Sequence, residues 1–75
     1  KVNLRTDPYL NAEVIGMLNY GTEVEVINRG SFRIPIQGMN DFWYKVSISD
    51  GRTGWVYGHF LDFIYEDPGL GEVPR

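Results

Sequence analysis

Residues 42–57 carry the pattern that most restricts the fold. Phe42-Trp43-Tyr44-Lys45-Val46-Ser47-Ile48 is followed by Ser49-Asp50-Gly51-Arg52 and then by Thr53-Gly54-Trp55-Val56-Tyr57. Aromatic and β-branched residues crowd both arms and turn residues separate them, so the segment reads as a β-hairpin. Tyr44, Val46 and Ile48 fall on one strand face and Trp43, Lys45 and Ser47 on the other. Asp50-Gly51 is a preferred pair for a two-residue turn, in which both central residues take positive φ. The hairpin holds both tryptophans of the chain, more aromatic surface than a small core requires.

The rest of the chain is also β in character. Thr22-Glu23-Val24-Glu25-Val26 alternates strictly, predicting a strand with Val24 and Val26 buried and both glutamates in solvent. Gly21, after Asn19-Tyr20, supplies the preceding turn. Val2 and Leu4 predict an opening strand. Val14, Met17 and Leu18 predict another, with Gly16 as a bulge or bend. Leu61, Phe63 and Tyr65 suit a closing strand, and no segment has helical periodicity beyond a single turn. Short strands punctuated by Gly, Asp and Asn point to a small barrel.

Seventy-five residues make one domain near the lower limit for a self-sufficient core. There is no cysteine, which removes disulfides and thiolate metal sites and leaves the redox compartment open. No apolar run approaches the ~20 residues of a membrane span. Lys1 stands where an initiator methionine would, so an excised domain of a longer protein is expected. Charge is unevenly placed. Lys1, Arg5, Arg29, Arg33, Lys45 and Arg52 balance Asp7, Glu13, Glu23, Glu25, Asp41 and Asp50, and the acidic excess lies from Asp62 onward. A near-neutral domain without a basic stripe lacks the electrostatic footprint of a nucleic-acid binder and is poorly matched to anionic lipids or polymers.

Val2-Asn3-Leu4-Arg5, Asp7-Pro8, Val14-Ile15-Gly16 with Leu18, Gly21-Thr22, Trp43-Tyr44-Lys45-Val46, and Gly54-Trp55-Val56 with Phe60-Leu61 stand in order along the chain. Over residues 2 to 61 this succession resembles the bacterial SH3 (SH3b) family. The resemblance implies an all-β, five-stranded SH3-like barrel with one short helical turn before the last strand. Residues 1–65 are then the barrel, with a long loop inserted at 29–41, and residues 66–75 an acidic Pro/Gly-rich linker or tail. The insertion departs from the family, which joins these strands by a short loop. Its Phe32, Ile34, Ile36 and Met39 either pack on the barrel's flank or present an apolar surface to another domain or subunit.

The resemblance also implies a ligand groove between the first long loop and the helical turn. Tyr9, Trp43, Tyr57 and Phe60 surround it, with Arg5, Asp7 and His59 as polar neighbours. Strand parity puts Trp43 on the outer face, exposed to a ligand, and leaves Tyr57 opposite the core or at its rim; Trp55 and Phe60 suit the core as well as the groove. Such rings offer flat stacking surfaces for a peptide or sugar. His59 has no second histidine or cysteine to join it as a metal ligand, and no nucleophile, base and orienting group form a set. The glycines form no phosphate-binding loop. The expected function is a non-catalytic binding module of a bacterial cell-envelope protein, extracytoplasmic, without cofactor or metal, recognising cell-wall peptide or glycan. The alternative is an interaction or structural domain that uses the 29–41 loop.

Overall fold

The computed structural model describes residues 1–63; Tyr65 and the 66–75 linker lie outside the described residues. The strands are β1 (Val2–Arg5), β2 (Val14–Leu18), β3 (Glu25–Arg29), β4 (Ile34–Ile36), β5 (Met39–Asp41), β6 (Trp43–Ser47) and β7 (Thr53–Tyr57), followed by a 3-10 turn at Gly58–Phe60. Five of them form one antiparallel sheet in the order β2-β1-β7-β6-β3, while β4 and β5 pair only with each other. This is the small SH3-like all-β fold, with the helical turn in the expected place.

The core is compact. Leu4, Val46 and Val56 are fully buried, with Val2, Ile15, Leu18, Tyr44, Ile48 and Leu61 packed around them. Their spacing explains the sheet: the alternate residues Tyr44, Val46 and Ile48 of the β6 arm turn toward this cluster. Strand β7 can lie close to β1 because Gly54 has no side chain. A Cβ there would sit 2.7 Å from Leu4 Cγ and 2.9 Å from the Arg5 carbonyl oxygen. In β2 the register passes from Leu4–Gly16 to Arg5–Val14, which leaves Ile15 as the extra residue of a bulge beside the glycine expected to mark it.

Three local expectations are corrected. The connection between β6 and β7 is not a two-residue turn. Gly51 N–H donates to Ile48 O and Ile48 N–H to Arg52 O, and of the Asp50-Gly51 pair only Gly51 has positive φ. That is a three-residue loop ending in a glycine bulge, held by Asp50, whose carboxylate accepts from Arg52 N–H and Nε. The two-residue turn with both φ positive occurs instead at Gln37 (φ 50°) and Gly38 (φ 84°), joining β4 to β5. Second, β3 begins at Glu25, not Thr22, and Val26 is 40% exposed. Val24 is half-buried and packs against the core cluster, but both valines line an open cleft beside the edge strands β2 and β3, and among the described residues no ladder crosses that gap. Third, Leu61–Phe63 continue as irregular chain, so no closing strand is present among the described residues.

Candidate ligand-binding groove

The inserted segment determines the shape of the site. Ile36 pairs with Met39 across the Gln37-Gly38 turn, and both line a groove of about 210 Å³ together with Trp43, Tyr57 and Phe60. The insertion is thus neither a simple extension of a strand nor wholly an outward surface. Exposure divides it along its length: Ile36 and Met39, next to the turn, are half-buried at the groove, whereas Phe32 is 76% exposed and Ile34 is exposed.

Trp43 is the main correction to the sequence reading. It is 3% exposed, and Tyr57 is 4% exposed. Both lie on the strand face that parity places opposite the core, so the alternation was read correctly. What parity lacked was the second layer over that face. Trp43 and Tyr57 are direct cross-strand partners, with ring centroids 5.3 Å apart. Tyr57 then ties the insertion down: its hydroxyl accepts from Asp41 N–H at 2.8 Å and donates to the Ile34 carbonyl. This phenol is a structural clamp whose two hydrogen-bonding roles are both taken. Phe60 follows edge-on to Tyr57 at 6.3 Å and is 48% exposed, so its assignment to the core fails and its place at the groove remains. Trp55, the other ring that suited the core, is half-buried.

The 3-10 turn that presents Phe60 depends on Gly58. Its N–H donates to Phe42 O, and a Cβ there would lie 2.7 Å from Asp41 Oδ1 and from Tyr44 Cε2. The same contacts draw the end of β5 against the turn, so groove floor and inserted wall are set by one close approach.

Of the residues expected at the groove, Arg5, Trp43, Tyr57 and Phe60 line it and Asp7, Tyr9 and His59 do not. Asp7 serves the first loop: its carbonyl accepts from Tyr9 N–H and its carboxylate from the Thr6 hydroxyl. Tyr9 is exposed on that loop, and His59 is exposed beside Phe60. The groove residues not anticipated there are Lys1, Val2, Asn3, Leu10 and Gln37, with Ile36 and Met39 reassigned from the partner surface. The signal for the last three was present in Ile36-Gln37-Gly38-Met39, two apolar residues around a Gly-containing pair.

The groove chemistry is specific. Arg5 spends one donor on Ala12 O at 3.0 Å, which also fixes the first loop. The Trp43 indole Nε1–H is buried and has no acceptor. Among the described residues no aspartate or glutamate lines the groove. The cleft between β2 and β3 is larger, about 600 Å³, but it is the barrel interior, reached past Val2, Leu18, Val24 and Val56, showing between two edges that no described strand joins.

The family model described as bacterial SH3 domain matches residues 1–62. An uncharacterized protein of Treponema pallidum (strain Nichols) is 32% identical over 66 residues, which cover 84% of this chain and 15% of that protein. The chain therefore spans a small fraction of the length of this relative. No solved structure matches it.

Proposed function

Because the chain belongs to the bacterial SH3 domain family, a family of small binding modules, we propose that it is a non-catalytic module of a cell-envelope protein that binds short cell-wall peptides in the groove beside the 3-10 turn. The observation that carries this reading is the convergence there of the Trp43–Tyr57–Phe60 aromatic row, the inserted Ile36–Met39 wall and the polar ends of Arg5 and Gln37. Apolar walls with a few placed polar groups are the usual form of a ligand site. The volume lies below the ~300–1,000 Å³ of pockets for drug-sized ligands, which favours a short segment over a broad glycan surface. An envelope location follows from this ligand class.

Purified peptidoglycan tests the proposal. The chain is expected to sediment with intact sacculi and to be released by soluble muropeptides. A Met39→Glu variant, which puts charge on the apolar wall, is expected to stay in the supernatant. Wild-type chain remaining in the supernatant would overturn the reading.

A second reading rests on Phe32 and Ile34. These side chains are exposed and lie outside the groove lining, and they suit contact with a neighbouring domain of the same polypeptide. Both readings hold together if the turn end of the hairpin, Ile36 to Met39, meets the ligand and the end carrying Phe32 and Ile34 a neighbour.

A further inference from the structure

The charge in the groove differs from that of the chain. The whole sequence carries a formal net charge of −3, yet the groove is lined by Lys1 and Arg5 and by no described acidic residue. Among the described residues the single salt bridge is Arg52–Asp50, on the far hairpin, so neither groove cation is paired with a described carboxylate. Arg5 keeps most of its planar fork of donors after the bond to Ala12. Cationic donors therefore stand beside an apolar wall, with no described carboxylate among the groove residues.

We infer, on the basis of the wall-peptide reading above, that the groove takes the free carboxylate end of a short peptide. Arg5 and Lys1 face the carboxylate, and a small apolar terminal side chain packs on Trp43 and Met39. Arg5 is suited to this because a guanidinium meets a carboxylate through parallel N–H donors. The volume of about 210 Å³ has room for a short chain end, and the comparison with an internal glutamate separates that from an acidic side chain in mid-peptide. Neutrality of the domain as a whole is no obstacle, because recognition of one carboxylate is local.

The test compares three probes by tryptophan fluorescence or calorimetry: a short alanine-terminated peptide with a free C-terminus, the same peptide as its C-terminal amide, and that amide carrying an internal glutamate. The free acid is expected to bind at least about tenfold more tightly than either amide. Lys1→Gln, at an exposed position, is expected to weaken the free acid several-fold and leave the amide unchanged. Lys1→Gln with Arg5→Lys, which keeps one cation and loses the fork, is expected to weaken it further. Equal affinity for acid and simple amide overturns the inference, as does a glutamate amide that matches the free acid. Muropeptides provide the separate control. If their amidated and native forms bind equally, the carboxylate inference fails while the wall-peptide reading stands. If free-acid peptides bind and muropeptides do not, the wall-peptide reading fails instead.

Discussion

Two aromatic residues hold the site together, and neither does so as a ligand platform alone. Trp43 is buried with Tyr57 in a cluster on the outer face of the sheet. Replacing Trp43 by Ala is expected to destabilise the chain by about 3 kcal/mol or more, read by thermal or urea unfolding; a near-neutral change would show that the ring is not packed as described. Tyr57→Phe keeps the ring and removes only the hydroxyl that bridges Asp41 N–H and Ile34 O. It is expected to cost about 1–2 kcal/mol and to speed amide exchange at Asp41 more than at Val46. Uniform acceleration at both sites would count against a local clamp. Strand parity located these rings on the correct face. It erred on exposure because burial depends on what covers a face, and the cover here comes from the irregular 29–41 segment.

At the scale of elements, two turns exchanged their expected geometries. Asp50-Gly51 carries the familiar signature of a two-residue turn but closes a longer loop, because the ladder stops at the Ser47–Thr53 pair and Asp50 binds Arg52. The donation from Arg52 N–H, aided by its side chain, holds the Asp50 carboxyl below the ordinary aspartate value. A lowered value in the folded state means that the turn contributes stability above the ordinary aspartate pKa and loses it as pH falls through the folded value. The carboxylate is exposed, so the effect on stability is small. An NMR titration of the Asp50 side chain should give a midpoint below that of a reference peptide, and a midpoint at or above it would contradict the assigned bonds. Gln37 occupies the left-handed region with φ 50°, where a side chain is disfavoured. Gln37→Gly is expected to raise stability by up to about 1 kcal/mol, measured by denaturant midpoint, and a loss would mean that the Gln37 side chain stabilises the turn. The sequence signal here was the glycine at 38, but Gln37 is not a residue that turn chemistry singles out.

For the whole molecule, strand content and the central hairpin were legible from alternation and turn residues, because a small sheet must bury one face of each strand, and the 3-10 turn was legible through the family resemblance. The edge was less legible. Alternation in residues 22–26 implied burial, whereas Val26 faces an open cleft; a local pattern carries no information about whether two edge strands meet. The groove was half legible for a related reason. Arg5, Trp43, Tyr57 and Phe60 lie on elements of the barrel, while Ile36, Gln37 and Met39 reach it from an insertion whose docking depends on the Tyr57 hydroxyl and the close approach at Gly58. The account's central claim is that this insertion forms one wall of the ligand groove. A nitrogen–proton and methyl NMR titration of the chain with a soluble muropeptide tests it most directly. The Met39 methyl, the Gln37 amide and the Trp43 indole are predicted to shift together with one affinity, leaving Phe32 unmoved. Shifts confined to Phe32 and Ile34, or a Trp43 response without Met39 and Gln37, would contradict it.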